Sequence, residues 1–99
     1  MSESVKARIT WLTPDQGGRL TLPSGLRYST VARFAAQGAE WKRNAWSLVV
    51  EFAEVPRVAF SHVAQVKFLV PEGPVELLTS GGSFDLLEGS RVVARGVIL

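Results

Sequence analysis

The residues able to carry acid–base chemistry are one histidine, His62, and two close pairs of carboxylates, Glu72 with Glu76 and Asp85 with Glu88. A catalytic acid or base works beside a nucleophile or in a buried setting. Glu72 begins a Glu-Gly-Pro turn, Asp85 is the outward residue of a predicted strand, and His62 begins another strand without a matching Ser or Asp motif. The sequence therefore does not predict an enzyme.

Cofactor and metal chemistry lack their usual residues. The chain has no cysteine and one histidine, which excludes disulfides, thiol chemistry and a zinc cage built from Cys or His. The Gly-Gly steps at 17–18 and 81–82 form neither a phosphate-binding loop nor a dinucleotide fingerprint ahead of a helix. We expect no catalytic residue, no cofactor, no metal and no GTP.

Composition predicts a single domain over residues 1–99. Of the 99 residues, 46% are hydrophobic and 20% are charged, as in an ordinary folded domain. No apolar run approaches the roughly 18 residues that span a bilayer, and residues 1–8 have no apolar signal core. We expect a cytoplasmic protein without membrane contact.

Alternation of apolar and polar residues with a period of two predicts strands along most of the chain. The stretch 35–42 has weak helical character, but Gly38 in its middle favours a loop or a single turn. Closing the sheet removes its two open edges. The predicted fold is all-β, a closed six-stranded antiparallel β-barrel. Its strands cover the segments 5–11, 26–34, 46–52, 64–70, 84–87 and 91–98.

The inward positions of these strands predict the core. They include Ile9, Trp11, Phe34, Leu48, Val50, Phe52, Val66, Phe68, Phe84 and Leu86. Leu26 and Val70 also fall on inward positions, as do Val92, Ala94, Gly96 and Ile98 of the last strand, where small residues suit a narrow barrel.

Two segments resemble the C-terminal, third β-barrel domain of elongation factor Tu. In 6–19 a strand leads into an acidic-x-Gly-Gly-Arg turn, and the likeness continues over 24–28. In 84–98 a Phe-x-x-x-Glu-Gly-x-Arg hairpin precedes a strand rich in small residues, and 66–71 matches an apolar strand ending in proline. Tyr28 replaces the family's proline, and the loop 35–44 differs. The resemblance implies a free-standing barrel without the GTPase domain.

In that family the barrel binds rather than catalyses: it helps to hold the T-stem of aminoacyl-tRNA. The resemblance implies that Glu88, Gly89 and Arg91 lie near such a stem. Lys6 and Arg8 point outward on the first strand, and Arg91 and Arg95 on the last. If these strands are neighbours, four cations share one face suited to the phosphates of structured RNA.

A protein-interaction module is the competing hypothesis, and the one that we favour, with translation as its setting by resemblance alone. Contiguous exposed apolar residues mark a surface for another chain or a second copy. The loop 35–44, through Trp41, is an alternative cover for part of this surface. The outward apolar residues are Val31, Val49, Val63, Leu69, Val93 and Val97.

Overall fold

Six antiparallel strands form a closed barrel in the computed structural model of the chain, which describes residues 4–16, 26–42, 45–52 and 61–99. The spatial order is β1-β4-β3-β2-β5-β6, and β6 returns to pair with β1. The predicted all-β, closed six-stranded barrel is confirmed. The strands are β1 Val5–Trp11, β2 Arg27–Phe34, β3 Trp46–Glu51, β4 Ser61–Phe68, β5 Ser83–Glu88 and β6 Arg91–Ile98.

The remaining regular structure of the described residues consists of short 3-10 segments at Pro14–Gln16, Ala35–Lys42 and Val75–Leu77. The middle segment is two turns separated by a kink at Gly38, where φ is 54° and ψ is −134°. Glycine adopts this left-handed conformation without steric cost, so the residue that argued against a continuous helix is also the point where the chain bends. No helix in the described residues is long and apolar enough to cross a membrane.

The interior of the barrel holds all ten of the predicted core residues, each buried. Aromatic rings fill one end of it: the Phe34 ring centroid lies 5.3 Å from that of Phe84 and 5.9 Å from that of Phe68. Gly96 faces Phe84 across the β5–β6 pair. A Cβ at Gly96 would overlap the Phe84 ring, so the close approach of these strands requires glycine there.

A β-bulge in β6 overturns part of the predicted alternation. Leu86 pairs with Ala94, but Leu87 pairs with Val92, which leaves Val93 as an extra residue. An extra residue reverses the alternation of side chains beyond it. Val93 is therefore fully buried, and its prediction as an exposed outward residue is wrong. Val92, predicted to point inward, lies opposite Leu87 and is half-buried.

Two predicted inward residues lie outside the strands instead. Leu26 precedes the first residue of β2 and is 51% exposed. Val70 follows the last residue of β4 in a turn and is 39% exposed. Both predictions are wrong because alternation constrains a side chain only while the backbone stays in the ladder.

Candidate functional site

The outward apolar residues of the barrel divide into a covered half and an open half. On the side of β3, β2 and β5, Val49 and Leu87 are buried and Val31 is half-buried. On the side of β4, β1 and β6, Val63 is 47% exposed and Val97 is 44% exposed. The expectation that Val49 is surface-exposed is wrong, because strand alternation gives direction but not what packs outside the sheet.

The segment Ala35–Lys42 packs against β2 and β5. The guanidinium carbon of Arg33 lies 5.3 Å from the centroid of the Trp41 ring, a cation–π contact. Trp41 therefore lies over the charged side chain of Arg33, and its role as a cover for the outward apolar residues stays a prediction. Val31 lies opposite Leu87 in the β2–β5 register. Leu87 is buried and Val31 is half-buried. The outward apolar residues within β2, β3 and β5 therefore offer little surface to a partner.

The open half has Arg8 at its centre. In the strand register Arg8 lies opposite Val63 on β4 and opposite Val97 on β6. With strands about 4.8 Å apart, the two valines lie roughly 10 Å from each other with the arginine between them. We call this surface the open face. Its outward residues are Lys6, Arg8, Thr10, Ser61, Val63, Gln65, Arg95 and Val97.

Charge on the three strands of the open half is of one sign. Strands β1, β4 and β6 contain no aspartate or glutamate, and their basic residues are Lys6, Arg8, Lys67, Arg91 and Arg95. Three of these approach acids of neighbouring strands: Lys67 lies 3.5 Å from Glu51, Arg91 lies 3.9 Å from Glu88, and Arg95 lies 3.9 Å from Asp85. No ion pair to Lys6 or Arg8 occurs within the part of the chain that the structure describes.

The four cations predicted to share one face are brought together only in part. Strands β1 and β6 are neighbours, as expected, and Thr10 pairs with Arg95, so Arg8 and Arg95 are diagonal neighbours. Arg91 lies four residues farther along β6, which corresponds to roughly 13 Å of strand. It pairs with Glu88 at the end of the β5–β6 hairpin. The open face therefore carries three of the four cations.

The hairpin that the resemblance assigns to RNA has a clear structural role. Glu88 accepts a hydrogen bond from the Tyr28 hydroxyl, which ties β5 to the start of β2. Gly89 has a φ of 65°, the left-handed conformation that a tight turn requires. Gly89 and Arg91 are exposed and Glu88 is half-buried, so only part of the hairpin is available to a ligand.

A ladder of charge that the sequence analysis did not predict crosses β2, β5 and β6. Arg33 donates to Asp85 at 2.7 Å, and the Nε atom of Arg95 lies 3.9 Å from the other carboxylate oxygen. The register places Asp85 opposite both arginines. A pocket of about 300 Å³ opens beside Arg33 and Asp85, next to Gly38 and Ser83. Arg33 and Asp85 form an ion pair in the wall of this pocket. Their charged groups therefore join β2 to β5 and are not free to bind a ligand there. Only the strand register reveals this ladder.

Four aromatic or imidazole rings cluster at the end of the barrel where β1 finishes. The centroids of Trp11 and Tyr28 are 5.4 Å apart, those of Trp11 and Phe52 are 6.2 Å apart, and those of Phe52 and His62 are 6.1 Å apart. Trp11 Nε1 and His62 Nε2 are buried without a hydrogen-bond partner among the described residues. His62 is half-buried and packs edge-on against Phe52 at the end of the core.

The two carboxylate pairs differ in their surroundings. Glu72 and Glu76 are both exposed, in the turn after β4 and in the 3-10 segment that follows. Asp85 is engaged by arginine, and Glu88 by Tyr28 and Arg91. No group of three or more His, Asp or Glu side chains able to hold a metal ion occurs in the described residues.

No protein-family model matches the chain, and no curated protein matches it. Of the two segments that carry the resemblance to elongation factor Tu, the closing one forms the hairpin of β5 and β6. The Gly-Gly-Arg turn and the segment after it, residues 17–25, lie outside the described residues. The open face is therefore the candidate functional surface.

Proposed function

We propose that the chain is a non-catalytic binding module that docks another protein through the open face. One observation carries this proposal: Val63 and Val97 remain about half exposed on either side of Arg8, whereas Val49 and Leu87, outward on the other half, are buried. Apolar side chains grouped within a polar rim are typical of protein-binding surfaces. Thr10, Ser61 and Gln65 supply that rim.

The resemblance to the third domain of elongation factor Tu supports the same class of function. That domain binds other domains and tRNA and performs no chemistry. In the complete factor other domains pack against this barrel, so a partner protein docked on the open face would be a contact of the same kind. We propose the translation machinery as the setting on this resemblance.

Structured RNA is the second candidate, favoured by the absence of acidic residues from β1, β4 and β6. A phosphate-binding face neutralises several phosphates at once. Lys6 and Arg8 are without an ion pair in the described residues, Arg95 approaches Asp85, and Arg91 lies apart near Glu88. The residues on either side of Arg8 are valines, whereas an RNA-binding face would have further cations at these positions to bind phosphates. Protein docking is therefore the better fit.

Site-specific photocrosslinking tests the proposal. A benzophenone amino acid at position 97 reports on the open face, and one at position 76 is the control, because Val97 and Glu76 are both exposed. We expect nuclease-resistant adducts of discrete mass from position 97 and none from position 76. Equal adducts from both positions, or none from position 97, would refute a docking role for this face.

Fluorescence anisotropy with a short RNA hairpin at two salt concentrations tests the second candidate. We expect no saturable binding at physiological salt. Binding that weakens steeply with salt, and that is lost in both Arg8→Glu and Arg91→Glu, would replace the protein proposal with RNA recognition, because each neutralised phosphate releases counterions.

A further inference from the structure

We infer that the segment docked on the open face is an acidic amphipathic helix, whose carboxylate binds Arg8 while apolar side chains on either side contact Val63 and Val97. This inference rests on the proposed function and names the chemistry of its partner. It follows from three observations: the row formed by these residues, the pairing of β1 with a strand on each side, and the sign of the surrounding charge.

The row across β4, β1 and β6 fits a carboxylate between apolar groups. Arg8 lies opposite Val63 on one side and opposite Val97 on the other. The guanidinium of arginine binds a carboxylate through two parallel hydrogen bonds. When the valines are covered by apolar side chains, water is excluded from this pair and the interaction strengthens. Each element of the row therefore favours the same kind of partner.

Backbone pairing with a strand of the partner is not available at these positions. β1 is hydrogen-bonded on one side to β4 and on the other to β6, so the partner meets side chains only. The roughly 10 Å between Val63 and Val97 is comparable to the diameter of an α-helix, about 10–12 Å with its side chains. A helix lying along β1 contacts both valines with residues at positions i, i+3 and i+4.

The charge of the face disfavours a second copy of this chain as the occupant. A two-fold dimer brings the same patch of both subunits together. Lys6 and Arg8 of one copy would then face Lys6 and Arg8 of the other, with no acidic residue on β1, β4 or β6 to separate them. Like charges at an interface oppose association, whereas carboxylates on a different chain are complementary.

A displayed library of amphipathic helices tests the inference on the complete chain. The helix positions i, i+3, i+4 and i+7 are randomised, and clones are selected on the immobilised protein. We expect selected sequences to combine Asp or Glu with Leu, Ile, Val, Phe or Met on one face. Selection of basic or neutral faces, or failure to enrich any clone, would overturn the inference.

Matched variants locate the binding of a selected peptide. Arg8→Glu is expected to raise its dissociation constant by about tenfold or more. Arg91→Glu makes the same change of charge away from the open face and is expected to change it by less than about twofold. Val97→Lys retains a positive face but removes an apolar contact, and it too should weaken binding. Equal losses in Arg8→Glu and Arg91→Glu would show nonspecific charge attraction and overturn the inference.

The two proposals fail differently. Adducts from position 97 together with a library that yields no acidic helix would retain the docking function and reject this partner. Absence of adducts and of selected peptides would reject both. Arg8 is exposed, so its variants should keep the thermal midpoint of the parent chain, and a midpoint near that value shows that lost binding is not lost folding.

Discussion

Gly96 lies directly opposite Phe84 in the β5–β6 ladder, and the space that a side chain would occupy at Gly96 is filled by the Phe84 ring. Phe84 in turn packs against Phe34 in the core. The glycine lets a large ring cross the interior close to the backbone of β6. Closure of the barrel thus depends on placing a residue without a side chain, Gly96, opposite the large side chain of Phe84.

Gly96→Ala should lower the free energy of unfolding by about 1–3 kcal/mol, because the added methyl forces the Phe84 ring from its place. Urea denaturation measures this loss. Phe84→Leu in the same chain makes room for the methyl, so the double variant should be more stable than the sum of the two single losses predicts. Strict additivity would show that the close approach is not what limits the site.

Phe68 and its neighbour Leu69 form a matched test of burial. Phe68 is 2% exposed at the end of β4, whereas Leu69 is 51% exposed in the turn. Phe68→Ala should cost about 3–5 kcal/mol of unfolding free energy through lost packing and a cavity. Leu69→Ala should stay within about 0.5 kcal/mol. Similar losses at both positions, measured by chemical denaturation, would contradict the assigned end of β4.

The core was predictable from sequence because a half-buried strand alternates apolar and polar residues. Ile9, Trp11 and Phe34 follow that rule, as do Leu48, Val66 and Leu86 in the other strands, and all are buried. The predicted closure also follows from physics, since a flat sheet leaves hydrogen-bonding edges exposed. Both features can be predicted from a single sequence, because alternation is local and the cost of unpaired strand edges applies to any sheet.

The outer surface was less predictable because it depends on contacts between distant segments. Val93 is buried through a bulge that alternation cannot foresee. Val49 is buried although its strand position points outward. Of the predicted outward apolar residues, Val63, Leu69 and Val97 are exposed, and only the register shows that Val63 and Val97 lie on either side of Arg8.

Val93 and Val97 test the bulge directly. Val93→Asp buries a charge without a partner and should lower the unfolding free energy by several kcal/mol, enough to unfold a marginal domain. Val97→Asp puts the same side chain on the open face and should change stability by less than about 1 kcal/mol. Thermal melts followed by circular dichroism separate the two. A folded Val93→Asp variant as stable as Val97→Asp would contradict the burial of Val93.

Magnesium and GTP should give no saturable heat when titrated into the protein in a calorimeter. The sequence contains no G-x-x-x-x-G-K-[S/T] motif, the loop whose backbone N–H groups bind the phosphates of a nucleotide. A site of micromolar affinity would refute this prediction. Such a site would mean that the protein binds GTP, as elongation factor Tu does.

The last prediction concerns Asp85, which lies between Arg33 and Arg95 on adjacent strands. Asp85→Asn removes the negative charge while keeping the size of the side chain, and it leaves two arginines facing each other across β5. Because the side chains of Arg33 and Asp85 are 35% and 27% exposed, solvent screens the pair, and we expect a loss of about 1 kcal/mol of unfolding free energy.

Salt dependence distinguishes charge from packing at this position. The difference in stability between the parent chain and Asp85→Asn should shrink as sodium chloride is raised from low concentration to about 1 M, where the screening length falls to about 3 Å. Glu76→Gln is the control, because Glu76 is exposed and has no ion pair within the described residues. A loss at Asp85 that is independent of salt would show that shape, and not the charge ladder, joins β2, β5 and β6.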